Sequence, residues 1–172
     1  MPKEKSPIPT ITWEVLPGGF LPERAHESDA ALDLFIPQDP ALPETYAIRH
    51  GATTKIPLRL KVALPDNIAG LILPRSGLAR DFGISIVNSP GLIDPGYRGE
   101  LAVLLTTISK YQPGDAVVLT AGTRVAQFLP MALAFYDTEE GPVSEQTDRG
   151  TGGFGSSGLF DLPKKEDTNE GN

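Results

Sequence analysis

The 172-residue chain contains no cysteine, which excludes disulfide staples and thiolate metal sites and suits a reducing compartment, the cytoplasm. Long apolar runs are missing as well. Ile68 to Leu73 and Leu101 to Leu105 are far too short to cross a bilayer, and Met1-Pro-Lys-Glu-Lys-Ser6 leads into no apolar stretch. The expectation is a soluble, unprocessed chain with no membrane partner. Positive charge is scarce: 15 Lys and Arg stand against 22 Asp and Glu, a net charge of −7, which argues against a broad polyanion-binding surface and against long nucleic acid as a partner. The two histidines, His26 and His50, lie apart without metal-ligand spacing. A small polyphosphate is still compatible with this balance where arginines converge locally or a divalent cation adds charge. Arg75, Arg98, Arg124 and Arg149 all stand in glycine-containing motifs.

Eighteen glycines and seventeen prolines leave little room for long helices and much for turns between short strands, so the chain reads as one all-β domain. Strands are predicted over 11–16, 31–36, 45–48, 53–64, 68–73, 84–87, 100–109, 116–120 and 123–136, the last breaking near Pro130. Leu58, Leu60, Val62 and Leu64 alternate with Arg59, Lys61 and Ala63, the period of a sheet with one buried face. One short helix is predicted over 77–82, with Ser76 as N-cap, Gly83 as stop and an N-terminus suited to an anion. Residues 137–148 read as a surface connection. The polar run 161–172 is expected to be disordered. The organisation expected is a β domain over 1–148, a glycine-rich arm over 149–158 and a tail over 159–172. Trp13 belongs in the core or at a subunit contact.

Several constellations carry chemistry. Arg149-Gly-Thr-Gly-Gly-Phe-Gly-Ser-Ser-Gly158 holds five glycines, two serines, one arginine and one phenylalanine, a mixture suited to a flat anionic ligand such as a nucleotide, or else a flexible linker. In Pro74-Arg-Ser-Gly-Leu-Ala79, Arg75, Ser76 and Gly77 can hold phosphate, or make an ordinary cap and surface ion pair. Asn88-Ser-Pro-Gly-Leu-Ile-Asp-Pro-Gly-Tyr-Arg-Gly-Glu100 reads as a hairpin arm displaying Asp94 and Tyr97. An Asx cap and a packed ring are the plainer alternatives. Within Gly122-Thr-Arg-Val-Ala-Gln-Phe128, alternation puts Arg124, Ala126 and Phe128 on one face and Val125 and Gln127 on the other. Gln127 then needs a water, a ligand or solvent as partner. Asp33, in Ala30-Ala-Leu-Asp-Leu34, either caps backbone or reaches a cation.

Taken in chain order, these segments resemble the five motifs of the trimeric dUTP diphosphatase (dUTPase) family, over residues 30 to 158. Ala31 departs from the pattern where glycine is common, and Thr123 where an acidic residue is frequent. The resemblance implies a jelly-roll-like β subunit assembled as a homotrimer, with active sites shared between chains. It also implies hydrolysis of dUTP to dUMP and pyrophosphate with Mg²⁺, which keeps uracil out of DNA and supplies dUMP for thymidylate synthesis.

By the same resemblance Asp94 is the catalytic carboxylate that activates water against the α-phosphorus. Arg75, Ser76 and Gly77 grip phosphates, Gln127 acts near the nucleophile, and Asp33 reaches Mg²⁺ through water. Asn88 with backbone at Leu92 and Ile93 pairs the uracil edge, while Tyr97 lies under the deoxyribose and excludes a 2′-hydroxyl. The arm closes over the ligand, with Phe154 on the base, Arg149 at the γ-phosphate, and Gly155 and Ser156 beside it. Two alternatives stand: an enzyme related to dCTP deaminase, possessing one or both activities, and a dUTP-binding regulatory protein.

Overall fold

The computed structural model describes residues 9–109, 115–144, 146–148 and 150–152. The chain divides into two compact units, Met1–Phe135 and Tyr136–Asn172. The first contains eleven strands and one helix among the described residues: β1 (Thr12–Val15), β2 (Leu32–Phe35), β3 (Thr45–Ile48), β4 (Thr54–Pro57), β5 (Leu60–Ala63), β6 (Ile68–Leu73), α1 (Ser76–Phe82), β7 (Ile84–Ile86), β8 (Gly91–Ile93), β9 (Ala102–Thr107), β10 (Val117–Thr120) and β11 (Arg124–Ala132). The all-β expectation with one short helix is what the structure contains. The described part of the second unit has no regular secondary structure, and a turn returns the Gly150 amide to the Thr147 carbonyl at 3.0 Å.

Every strand pair is antiparallel, in four sheets ordered β1-β5, β10-β3, β2-β11-β6-β8 and β4-β9-β7. Leu34, Ile36, Ile56, Leu60, Val103, Leu105, Val125 and Phe128 are among the fully buried side chains. Gly70 in β6 makes room for the largest of them: a Cβ there would overlap the Phe128 ring. Trp13 meets that ring edge-on at 5.0 Å, so the tryptophan is a core contact within the chain.

Three expectations are corrected. The strand predicted over 53–64 is two strands, because Arg59 takes a left-handed φ of 54° and turns the backbone between β4 and β5. The backbone freed there bonds elsewhere, Leu58 N–H to the Leu101 carbonyl and Leu101 N–H to the Leu60 carbonyl. An Asp39 ion pair at 2.6 Å and an Arg59 N–H bond to Glu100 Oε1 hold the turn. Leu58, Leu60, Val62 and Leu64 are nevertheless all buried, as their alternation predicts.

The helix starts one residue early. Arg75, extended at φ −94° and ψ 134°, occupies the N-cap without a side-chain cap bond, and its carbonyl accepts from Ala79 N–H at 3.0 Å. Ser76 therefore lies inside the first turn with an exposed side chain. Gly83 ends the helix at φ 61°, as predicted. Strand β11 runs through Pro130 to Ala132, because by Pro130 it has passed the end of β2 and pairs β6 alone. A residue without an N–H then costs no second ladder bond. Finally, within the segment read as a hairpin arm, Gly91–Ile93 is a strand of the largest sheet, paired with β6.

Candidate active site

Asp33, Gln127 and Leu73 stand opposite one another across β2, β11 and β6. Pro74 and Arg75 follow Leu73 directly, so sheet register brings three of the predicted motifs to one row. Gln127 Nε2 donates to the Pro74 carbonyl at 2.8 Å, and Arg75 Nη1 donates to Asp33 Oδ1 at 2.8 Å. Asp33 is buried, and its other oxygen pairs with Arg124 Nε at 3.0 Å. It therefore caps no backbone among the described residues; it joins two guanidiniums.

Arg124 reaches that carboxylate because of a β-bulge. The register pairs Gln127 with Asp33 and Ala126 with Leu34, then jumps to Arg124 opposite Phe35, leaving Val125 as the extra residue. Simple alternation put Arg124 and Gln127 on opposite faces. The bulge restores Arg124 to the face of Asp33, Phe35 and Gln127, and buries both Val125 and Ala126. Nothing in the local pattern signals it. Arg124 also sits 5.3 Å from the centroid of Phe35 and 3.6 Å from Glu23 Oε1. Sequence reasoning gave neither Phe35 nor Glu23 a role.

A cavity of about 400 Å³ opens beside this cluster, lined by Asp33, Leu73, Arg75 and Gln127 together with Asp29 and Ala30 of the preceding loop. A larger groove of about 640 Å³ lies between the segment 37–44 and Thr120–Ala121, but it is lined by Asp39 and Glu44 with no basic side chain and does not suit a polyphosphate. No group of three or more His, Asp or Glu able to hold a metal ion occurs among the described residues. Among the described residues the only carboxylate in direct contact with Arg75 is Asp33, which already serves two guanidiniums. The donors thus fit an ion carried on phosphate oxygens and its own waters, not a protein cage.

The second group of predicted residues is displayed separately. Asp94 follows β8 in a turn closed by Tyr97 N–H donating to the Asp94 carbonyl at 3.1 Å. Its exposed carboxylate caps nothing among the described residues. Tyr97 is also exposed, and its hydroxyl donates to the Glu100 carbonyl at 3.0 Å. Gly99 admits that ring, since a Cβ there would overlap the Tyr97 hydroxyl. Asn88 and Leu92 are exposed, Ile93 is half-buried, and Ser76 and Gly77 are exposed at the start of α1 with open space above Gly77. Arg149, Phe154, Gly155 and Ser156 lie outside the described residues.

The two groups do not meet within the chain. Because β8 runs antiparallel to β6, Ile93 lies beside Gly70 and Asp94 continues away from Leu73 and Arg75. Six residues of strand rise then leave the Asp94 and Arg75 backbones on the order of 20 Å apart.

The Asp33–Arg75–Gln127 row and the separate Asp94 turn both lie within the span of a family model described as dUTPase, which matches residues 19–158. The chain belongs to the dUTPase family. Relatives named deoxyuridine 5'-triphosphate nucleotidohydrolase include the Mycobacterium marinum protein, 42% identical over 147 residues covering 83% of this chain and 90% of the relative. The Tropheryma whipplei (strain Twist) protein is 40% identical over 152 residues, covering 88% and 98%. The fold is that of a Staphylococcus bacteriophage 80alpha dUTPase mutant solved with dUpNHpp, at TM-score 0.74 and 23% identity, covering 87% of this chain and 99% of that one. A dUTPase mutant from phage phi11 of S. aureus, solved for the coordination of a structural Mg(II) ion, has TM-score 0.67 and 21% identity, covering 79% and 99%. Neither the deaminase-related alternative nor the regulatory one is favoured by membership of this family. Among the described residues no helix is long and apolar enough to cross a membrane.

Proposed function

We propose that this dUTPase-family chain hydrolyses dUTP to dUMP and pyrophosphate by attack of water on the α-phosphorus, in the cytoplasm. The observation that carries the reading is the Asp33–Arg75–Gln127 row beside its cavity, in a chain 42% identical to a named nucleotidohydrolase. Arg75 spends one nitrogen on Asp33 and keeps Nη2 and Nε without partners among the described residues, available to phosphate oxygens. Ser76 and the open backbone at Gly77 add donors beside it. Gln127 has committed its amide N–H to Pro74, which leaves the amide oxygen to accept from an ordered water.

Asp94 is the general base. Its carboxylate orients and deprotonates the attacking water, electron density passes from water oxygen to the α-phosphorus, and the bond to the bridging oxygen breaks as pyrophosphate leaves. Asn88 and the backbone of Leu92 and Ile93 pair with uracil, and Tyr97 leaves no space for a 2′-hydroxyl. The arm over 149–158 closes the site, Phe154 stacking on the base and Arg149, Gly155 and Ser156 meeting the phosphates, with 159–172 as a trailing tail. Asp33 would hold Mg²⁺ through the ion's waters, and the ion would supply charge that neutralises the triphosphate.

The separation of Asp94 from Arg75 favours sites shared between copies of the chain, which the family resemblance makes a homotrimer. A carboxylate whose backbone lies on the order of 20 Å from that of the arginine of its own chain cannot act on a phosphate held there, so a second copy supplies it. Pyrophosphate release from dUTP, dCTP, dTTP and UTP, with and without Mg²⁺ and scored also for ammonia, tests the reading. Release confined to dUTP without ammonia is expected; ammonia from dCTP would overturn it.

A further inference from the structure

The geometry points to Arg124 as a positioning residue that keeps the Arg75 guanidinium available to phosphate, acting through the Asp33 carboxylate. This rests on the proposed phosphate-binding role of Arg75. A carboxylate facing a single arginine favours the two-pronged pair, both oxygens against both forks of the guanidinium. Here that pair does not form: Asp33 gives Oδ1 to Arg75 and Oδ2 to Arg124. Arg124 thus occupies the second oxygen and limits Arg75 to one contact, leaving its remaining N–H donors for a ligand. Without Arg124 the Asp33 carboxylate is free to rotate and take a second donor of Arg75, withdrawing it from the cavity.

Three features fix Arg124 for this task. The bulge at Val125 turns the side chain onto the Asp33 face, where an unbroken strand would point it away. Phe35 supports the guanidinium plane at 5.3 Å and is itself backed by Phe20 at 5.8 Å. Glu23 engages the outer nitrogen, while its backbone carbonyl accepts from the Asp33 amide at 2.7 Å, so the segment bearing the outer carboxylate is tied to the residue bearing the inner one. An incidental surface ion pair needs none of these three.

A double-mutant cycle on the full-length chain tests the coupling, with affinity for dUpNHpp measured by titration calorimetry. Arg75→Met and Arg124→Met are each expected to weaken binding roughly tenfold, and the double variant to bind within about twofold of Arg75→Met, because Arg124 acts only through Arg75. Multiplying losses would assign Arg124 a direct ligand contact, and unchanged binding by Arg124→Met would make it a surface pair; either overturns the inference. Phe35→Leu, which removes the platform but keeps the charge, provides the second cycle should Arg124→Met fold poorly. Its smaller loss is expected to vanish in the Arg75→Met background, and persistence there would count against the inference. Wild-type chain that fails to bind dUpNHpp would sink the substrate reading itself, whereas good binding with no coupling sinks this inference alone.

Discussion

Arg75 and Asp94 sit at opposite ends of one strand pair, β6 against β8, so the group proposed to hold phosphate and the group proposed to activate water face different regions of the chain. On the roles proposed for these two residues, a second copy of the chain completes the chemistry.

That relationship predicts complementation between two inactive proteins. Asp94→Asn alone should lower kcat by about 10²- to 10⁴-fold while dUTP affinity largely survives, and Arg75→Ala alone should weaken binding. Co-expressed in equal amounts they should recover about a quarter of wild-type turnover, since each shared site draws its two groups independently from two chains. Mixed assemblies as inactive as either parent would mean that each site is built within one chain.

Sugar discrimination should depend on Gly99, a residue that touches no proposed ligand. A Cβ there overlaps the Tyr97 hydroxyl, so Gly99→Ala should displace the ring and break its bond to the Glu100 carbonyl. The expected outcome is a rise of roughly tenfold in kcat/KM for UTP relative to dUTP, because a 2′-hydroxyl then finds room. An unchanged ratio in steady-state assays would remove Tyr97 from that role.

Gly70→Ala should cost stability rather than chemistry. The added methyl meets the Phe128 ring in a packed core and should destabilise by about 1–3 kcal/mol, read from the denaturant midpoint. A midpoint within error of wild type would show that Phe128 can yield.

Acid sensitivity should trace partly to Asp39. The Ala41 amide, donating at 2.8 Å, is the main cause that holds its carboxyl below the ordinary value of 3.8; desolvation opposes it, and the Arg59 guanidinium adds to the lowering. A depressed folded-state pKa gives stability that is present above the unfolded value and lost as pH falls through the folded one. As pH falls through and below 3.8, the wild-type unfolding midpoint should therefore fall more steeply than that of Asp39→Asn, as followed by circular dichroism. Parallel curves would show that the Asp39 carboxylate contributes nothing to acid stability.

Much was legible in the chain before its fold was known. Dense glycine and proline with period-two apolar residues specify short strands, and the inward set Leu58, Leu60, Val62 and Leu64 survives even the turn at Arg59 that divides the strand. Gly83 as helix stop was legible because a left-handed cap is a local requirement. Asp33, Arg75, Asp94 and Gln127 were singled out through the family resemblance, and sheet register brings Asp33, Arg75 and Gln127 into one row.

Local pattern alone could not reveal how those residues are arranged. Strict alternation puts Arg124 on the wrong face, because a bulge is a property of two paired strands rather than of one. The left-handed Arg59 is held by Asp39 and Glu100, both distant in sequence. Composition and motif order determined which chemical groups the protein possesses, since those depend on residue type and short-range spacing. Only the tertiary structure decided that Asp33 is shared between two arginines and that Asp94 lies beyond their reach, because sheet register and long-range pairing set distances that neighbouring residues do not encode.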